Sequence, residues 1–294
     1  MTMLGLNELN AATPEAFAAA IAGVFENAPW VAGQAAAHRP FATVGDLHAA
    51  LMGAVRLAPA DQRLGFLRGH PELAGKVARA RAMTAESVAE QGGLGLDRLS
   101  DAAFARFETL NAAYREKFGF PFIVCVRRHT RDSLLSRFAH RLGNDRDAEM
   151  DAALAEIGFI SRLRLVAKVS GPGMPATTGR LSTHVLDTVR GRPAAGVALS
   201  LHEIGDGATA EIVSTVTNAD GRTDAPLIMG EPLRIGTYEL RFRVGAYFRA
   251  QSAEAGDPPF LDVVPIRFAI AEPEAHYHVP LLVSPGAYTT YRGS

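Results

Sequence analysis

The last third of the chain carries two histidines and an arginine whose side chains could act together on a carbonyl group. His184 and His278 lie in two separate strand-like segments, and Arg222 follows an Asn-Ala-Asp-Gly turn. Imidazoles titrate near neutral pH and can add water to an amide as base and acid. A guanidinium can hold an anionic ring and stabilise an oxyanion. These residue types indicate amide hydrolysis, although each of them alone is more often solvated or structural.

A second group of polar side chains lies in the first third of the chain. His70 and Pro71 interrupt a helical pattern, and Pro71 suits the first position of a helix, which predicts His70 near a helix start. Ser87, Glu90 and Gln91 are spaced i, i+3 and i+4 and would share a helix face. A carboxylate beside an imidazole raises its basicity. These residues suit proton transfer. The alternative, that His70 and Pro71 only form a capped helix start and that Ser87, Glu90 and Gln91 only form a solvated helix face, remains open.

Helices are predicted for the segments that would hold this second group of residues, from residue 1 to about 166. Apolar residues spaced three and four apart between Phe104 and Phe118 predict an amphipathic helix that Gly119 ends. A long helix is predicted over 144–165, and the apolar stretch 17–25 is interpreted as a helix face. The residues predicted to cap helix starts are Thr43, Thr84, Ser100, Thr130 and Asn144.

The pattern changes after residue 166. Gly, Pro and Thr dominate 170–179, which predicts a linker. Beyond it, apolar residues alternate with period two over 197–201, 238–244 and 264–270, and turn signals separate these runs. Short strands at this spacing favour a β-sandwich. The expected organisation is an all-α domain at 1–166, a linker at 167–179 and an all-β domain at 180–294.

Composition restricts the class of protein. The 294 residues suffice for two domains, and 48% hydrophobic with 21% charged residues is typical of a globular chain. A formal net charge of −1 gives no reason to expect a nucleic-acid partner. The single cysteine, Cys125, cannot form an intrachain disulfide, and no stretch is long and apolar enough to predict a membrane span. A cytoplasmic protein is expected.

Four motifs in order make 180–294 similar to the 5-hydroxyisourate hydrolases of the transthyretin-like family. They are a Thr-His-Val-Leu-Asp start at 183–187, an arginine after a turn, a His-x-Pro-Leu-Leu strand at 278–282 and a Tyr-Arg-Gly-Ser end at 291–294. The resemblance implies a transthyretin-like sandwich that hydrolyses the six-membered ring of 5-hydroxyisourate without a metal, as a tetramer. The catalytic residues that it implies are His184, Arg222, His278 and Ser294, with Tyr291, Arg292 and Gly293 lining the pocket. Whether Ser294 donates to substrate or positions water stays open.

Transthyretin, which carries a hormone, shares this sandwich and defines the competing class. It lacks the Tyr-Arg-Gly-Ser end and the paired histidines, and both are present here. Their joint presence favours the enzyme. A binding or oligomerisation module is the alternative for the sandwich.

Residues 8–166 resemble the 2-oxo-4-hydroxy-4-carboxy-5-ureidoimidazoline (OHCU) decarboxylases. The motifs are His-Pro-Glu-Leu-Ala-Gly-Lys at 70–76, Ser-x-x-Glu-Gln at 87–91, Leu-Asn-Ala-Ala-Tyr at 110–114 and Lys-Phe-Gly-Phe-Pro-Phe-Ile at 117–123. The resemblance implies an all-helical, cofactor-free enzyme in which His70 is the main catalytic residue and Glu90 supports it. The residues that it implies for substrate binding are Pro71, Ser87, Gln91, Phe122, Ile123 and Arg164, with Arg162 as an alternative to Arg164.

The two resemblances together imply one chain that acts twice on small-molecule substrates. The sandwich would open 5-hydroxyisourate, and the helical domain would decarboxylate the product to (S)-allantoin. The ring can delocalise the electrons that CO2 leaves behind, so no cofactor is expected, and protonated His70 is the expected proton donor. A Schiff-base route would need a buried lysine, and Lys76, Lys117 and Lys168 are all expected to be solvated.

Overall fold

The computed structural model describes residues 3–73, 85–92, 96, 101–205, 208–251 and 257–293. It divides into two compact units. One contains residues 1–127 and 134–177, and the other contains residues 128–133 and 178–294. No helix in the described ranges is long and apolar enough to cross a membrane.

Helices make up nearly all of the regular structure before residue 167, as predicted. Their bounds are α1 (Leu6–Ala11), α2 (Pro14–Ala20), α3 (Pro29–Ala36), α4 (Val44–Leu57), α5 (Ala60–Arg68), α6 (Ala85–Gly92), α7 (Asp101–Phe118), α8 (Arg131–Arg141) and α9 (Arg146–Val166). Two-residue strands, β1 (Leu4–Gly5) and β2 (Val169–Ser170), pair in parallel. Residues 169–170, predicted as linker, are thus ordered against the start of the chain.

Of the N-cap residues predicted from the sequence, Thr43 is confirmed and Asn144 is wrong by one position. The Oγ1 atom of Thr43 accepts from the amide of Asp46, and the Asp46 carboxylate accepts from the amide of Thr43, so the predicted cap of α4 is confirmed. The cap predicted at Asn144 is wrong by one residue. Asp145 caps α9 by accepting from the amide of Ala148, while the side chain of Asn144 bonds to Glu149. Thr84 and Ser100 lie outside the described residues.

The apolar stripe predicted in α7 is largely buried, whereas the helix face predicted over 17–25 is wrong. In α7, Phe107, Tyr114 and Phe118 are buried, while Phe104 is only partly buried. The stretch 17–25 is not one helix face, because α2 ends at Ala20. Gly23 then adopts φ of 81°, a left-handed conformation that ends any helical continuation.

Two four-stranded sheets form the second unit, as the period-two pattern predicts. Their strands are β4 (Val185–Asp187), β5 (Arg192–Pro193), β6 (Ala198–Gly205), β7 (Ala208–Val216), β8 (Gly236–Phe242), β9 (Val264–Ile270), β11 (Leu281–Ser284) and β12 (Ala287–Thr290). The strand orders are β12-β11-β4-β5 and β7-β6-β8-β9. A parallel pair, β3 (Arg180–Ser182) with β10 (His276–His278), joins them.

The strand predicted over 238–244 ends two residues early. It stops at Phe242, and α10 (Val244–Gln251) follows. Val244, Tyr247 and Phe248 are buried on this helix at spacings of three and one. The run 244–248 therefore carried a helical signal that the period-two interpretation of Val244 obscured.

Candidate active sites

His70 lies just beyond the C-terminal end of α5. The Nδ1 atom is 3.0 Å from the carbonyl oxygen of Phe66, and because a carbonyl only accepts, Nδ1 carries the proton. The lone pair is therefore on Nε2. The helix start predicted at Pro71 is wrong, since Pro71–Leu73 are not helical; residues 74–84 lie outside the described residues.

Burial lowers the pKa of His70 to about 4, so the imidazole is neutral near pH 7. The expected proton donor is thus not charged in the resting protein. Two amide side chains fix the segment around it: Asn27 donates to the carbonyl of Gly69 over 3.1 Å, and buried Asn111 donates to the carbonyl of Leu73 over 2.8 Å.

Arg164 of α9 is the centre of a buried polar cluster with two side chains of α6. It bonds both oxygens of Glu90, at 2.9 Å from Nε and 2.8 Å from Nη2. The same Nη2 is 3.0 Å from Ser87 Oγ. Ser87 and Glu90 therefore share a face, as their spacing predicts. The side chain of Gln91 lies outside the described residues.

Glu26 is the member of this cluster that sequence reasoning missed. Its Oε2 atom accepts from Arg164 Nη1 at 2.9 Å and from Ser87 Oγ at 2.9 Å, and the residue is only 2% exposed. In the sequence Glu26 appeared only as a charge beside an apolar stretch, and nothing local distinguishes it. Glu26 and Glu90 thus both place a carboxylate on the guanidinium of Arg164.

The carboxylate that influences His70 is also Glu26. Burial dominates the pKa of His70, and the negative charge of Glu26 opposes that lowering. Glu90, expected to support His70, instead makes the bidentate pair with Arg164. The support of His70 by Glu90 stays a prediction.

Aromatic packing holds the wall of the pocket. Phe122 stacks on Phe138 with centroids 3.9 Å apart, and the guanidinium of Arg141 lies 4.6 Å from the Phe122 centroid. Arg141 also donates to the carbonyl of Ile123 over 2.7 Å. One pocket is lined by His70, Pro71, Ser87, Glu90, Phe122, Ile123 and Arg164, together with Glu26. Arg162 lies over Phe159 instead.

Main-chain pairing positions His184 beside Arg222 in the second unit. The two residues form an isolated antiparallel bridge, and the amide of Val185 donates to the carbonyl of Gly221. Gly221 has φ of 69°, and a Cβ there would lie 2.3 Å from the Val185 carbonyl oxygen, so the turn requires glycine.

The ring of His184 is poised for proton exchange. Its buried Nε2 has no hydrogen-bond partner within the described part of the chain. Burial, then the charge of Arg222, lowers its pKa. The pKa of His278 is lowered chiefly by burial, and the charges of Arg222 and His184 lower it further.

Two further polar residues accompany His278. Ser182 Oγ lies 3.0 Å from His278 Nδ1 and 2.9 Å from His276 Nε2. Ser182 is two residues from His184, and His276 is two residues from His278, although neither is a residue that the motifs assign to the site. Their alternate spacing was the available signal.

The end of the chain lies against His278. The amide of Gly293 donates to the carbonyl of His278 over 2.8 Å, and a Cβ at 293 would lie 2.7 Å from His278 Cδ2. The guanidinium of Arg292 lies 4.4 Å from the ring centroid of Tyr277, and Tyr291 is 57% exposed. Ser294 lies outside the described residues.

Within the described ranges no group of three or more His, Cys, Asp or Glu could hold a metal ion. Lys117 donates from an exposed position to the carbonyl of Leu142, and Lys168 is partly buried with its Nζ 3.7 Å from Glu86. Full solvation was therefore wrong for Lys168. Lys76 lies outside the described residues.

A helical unit that holds His70 in a polar pocket and a sandwich that holds His184 and His278 near Arg222 are typical of a two-domain enzyme with a candidate acid–base site in each domain. The family models agree: residues 10–166 match "OHCU decarboxylase", and residues 181–293 match "HIUase/Transthyretin family". The chain belongs to the OHCU decarboxylase family and, in its C-terminal part, to the HIUase/transthyretin family.

Known proteins resemble each part and the whole. A 2-oxo-4-hydroxy-4-carboxy-5-ureidoimidazoline decarboxylase of Halalkalicoccus jeotgali is 38% identical over 165 residues, 56% of this chain and 92% of that protein. The 5-hydroxyisourate hydrolase 2 of Rhizobium meliloti is 52% identical over 118 residues, 40% of this chain and 98% of that protein. A crystal structure of (S)-allantoin synthase is 33% identical, covers 99% of this chain and 100% of that chain, and has a TM-score of 0.53.

Proposed function

We propose that this chain converts 5-hydroxyisourate to (S)-allantoin in two steps, hydrolysis in the sandwich and decarboxylation in the helical domain. The observation that carries the proposal is the end-to-end similarity to a structure of (S)-allantoin synthase, combined with an acid–base site in each half. The proposed domain bounds are 1–166 and 180–294.

In the sandwich, the neutral imidazole of His278 takes a proton from the attacking water. Arg222 faces the oxyanion that forms on the ring carbonyl, where a planar guanidinium stabilises the developing charge. His184 passes the second water proton to the departing ring nitrogen, because its buried Nε2 is able to accept and then donate. The family resemblance assigns Tyr291, Arg292, Gly293 and Ser294 to the substrate pocket of this site.

In the helical domain, the neutral Nε2 of His70 accepts the proton of the 4-hydroxyl group of OHCU. The bond to the carboxylate breaks, CO2 leaves, and the electron pair passes into the ring toward the imine nitrogen, which takes a proton from solvent. The hydroxyl becomes a carbonyl, and His70 returns its proton to the carbon that bears the ureido group. Delivery from one face yields one enantiomer.

The ion cluster assists by its charge. Glu26 stabilises the imidazolium that forms on His70, as its effect on the resting pKa indicates. The like charges of Glu26 and Glu90 disfavour a substrate carboxylate held beside them more than neutral CO2. The family resemblance assigns Arg164, Ser87 and Gln91 to the polar substituents of the substrate, while Pro71, Phe122 and Ile123 form the apolar wall of the pocket.

A cytoplasmic homo-tetramer assembled through the sandwich completes the proposal. In support, all four residues of β12 are exposed at the edge of their sheet, and an unpaired edge is suited to pairing with a second copy.

The test supplies freshly generated 5-hydroxyisourate to the full chain. The expected result is rapid loss of the substrate absorbance and formation of (S)-allantoin in excess over the racemate that forms spontaneously. Racemic product at the uncatalysed rate would refute the proposal. Decarboxylation of OHCU without turnover of 5-hydroxyisourate would favour the sandwich as a binding or oligomerisation module.

A further inference from the structure

Ser182 bridges two imidazoles on the edge of the sandwich. The strands β3 and β10 pair so that Ser182 lies opposite His278, and His276 lies one pleat away on the same face. The distances of 3.0 Å to His278 Nδ1 and 2.9 Å to His276 Nε2 are both those of hydrogen bonds. His278 is half-buried in the site, whereas His276 is exposed. The three side chains therefore form a continuous path from the site to the surface.

We propose that Ser182 and His276 relay a proton from His278 to solvent during each hydrolysis. This inference rests on the proposed hydrolase activity of the sandwich. Ser182 and His276 act through His278 and are positioning residues.

The hydroxyl group makes the path directional. Serine has one proton, so it donates to one imidazole only and accepts from the other. In the outward arrangement, Nδ1–H of His278 donates to Ser182, and Ser182 donates to Nε2 of His276. This tautomer leaves the lone pair of His278 on Nε2, the ring nitrogen away from Ser182, as a general base requires. The bridge thus sets the protonation pattern that catalysis needs.

Charges around His278 drive the proton outward. Burial opposes an imidazolium at His278, and the positive charges of Arg222, His276, His184 and Arg180 act in the same direction. Burial, and then the charge of Arg180, lowers the pKa of His276. A proton accepted by His278 is therefore in a less favourable place than one at the exposed ring, where water solvates the charge.

The proton balance of the reaction requires such an exit. Water adds its oxygen to the ring carbonyl carbon, the carbon–nitrogen bond breaks, and a carboxylate and an N–H group form. One water proton ends on the nitrogen, and the other must leave. It passes from water to Nε2 of His278, from Nδ1–H to Ser182, from the Ser182 hydroxyl to Nε2 of His276, and from Nδ1–H of His276 to solvent.

The test measures hydrolysis by full-length His276→Ala and Ser182→Ala in weakly buffered solution. Both variants should lose about tenfold in kcat with KM unchanged, and the double variant should lose no more than either single variant, because all three break one path. Ser182→Thr retains a hydroxyl and should retain activity. Ser200→Ala is the matched control, since it removes another serine–histidine hydrogen bond, the 2.8 Å contact with His202 on β6.

Added imidazole distinguishes a relay from a structural role. It should restore His276→Ala toward the wild-type kcat, because a small base can replace an exposed proton acceptor, and it should not restore Ser182→Ala. Absence of rescue, or additive losses in the double variant, would overturn the relay while an active wild type leaves the hydrolase proposal intact. An inactive wild type would instead refute the hydrolase proposal. Decarboxylase activity and thermal unfolding of each variant report folding.

Discussion

The two candidate sites place an arginine beside acid–base groups in opposite surroundings. Arg164 is 6% exposed and is held by three side chains, Ser87 and Glu90 of α6 and Glu26. Arg222 is exposed and its backbone, not its guanidinium, is fixed by pairing with His184. The helical site therefore depends on a satisfied buried ion cluster, and the sandwich site depends on strand register.

The difference matches the chemistry proposed for each site. Decarboxylation benefits from a pocket that excludes water, because electrostatic effects strengthen in a low-dielectric interior. Hydrolysis consumes water and releases a proton, so a site open to solvent suits it. Mutation of the buried arginine should therefore lower both stability and activity in the helical unit. Mutation of the exposed arginine should lower activity alone in the sandwich.

Replacing each arginine by methionine tests this contrast with the largest expected effect. Arg164→Met removes the guanidinium that buried Glu26 and partly buried Glu90 share, so decarboxylation should fall on the order of 10³-fold and the free energy of unfolding by about 3–5 kcal/mol. Arg222→Met should abolish hydrolysis with little change in stability. Melting followed by circular dichroism at 222 nm, with both activities assayed, provides the measurement. Equal destabilisation by both variants would contradict the difference between a buried ion cluster at Arg164 and an exposed site at Arg222.

Arg222→Lys sharpens the role of the exposed arginine. An ammonium offers a point charge where a guanidinium offers a planar fork, so kcat for hydrolysis should fall on the order of 10²-fold if the fork binds the oxyanion. A rise in KM at constant kcat would assign Arg222 to binding of the ring instead. Normal values of both constants would exclude it from the site.

Gly293→Ala tests the dependence of the sandwich site on backbone approach. A methyl group 2.7 Å from His278 Cδ2 must displace the imidazole, and hydrolysis should fall on the order of 10-fold to 100-fold. Gly286→Ala is the matched control, because a Cβ at 286 meets nothing within 4 Å. Steady-state hydrolysis rates at equal concentrations give the comparison. Equal rates for both variants would show that the C-terminal residues are not part of the hydrolase site.

The pH dependence of decarboxylation is the mildest test. The mechanism needs neutral His70, whose pKa is lowered to about 4, so kcat/KM should stay level as pH falls through 6.5 and decline only near pH 4. Between those values the unfolded chain takes up the proton first, so stability of the helical unit decreases as pH falls. A rate that halves near pH 6.5 would show that His70 titrates as an exposed imidazole.

The sequence predicted elements and motif residues better than it predicted their partners. The helices, the sandwich and seven residues of the helical pocket follow from periodicity and motifs. Glu26 was missed because a buried carboxylate far along the chain from Arg164 leaves no local pattern. Ser182 and His276 carry no motif of their own, and only strand register places the Ser182 hydroxyl within 3.0 Å of both the His276 and the His278 imidazoles. The choice of Asp145 over Asn144 as a cap depended on a competing bond to Glu149.

The central claim is that each domain carries its own catalytic step. Stopped-flow circular dichroism of His70→Ala and His278→Ala, with freshly generated 5-hydroxyisourate, tests it most directly because it follows both steps in one reaction. The account predicts that His70→Ala hydrolyses normally and accumulates the ureidoimidazoline, while His278→Ala hydrolyses on the order of 10²-fold to 10⁴-fold more slowly but decarboxylates OHCU that is supplied to it. Loss of both activities in either folded variant would contradict it.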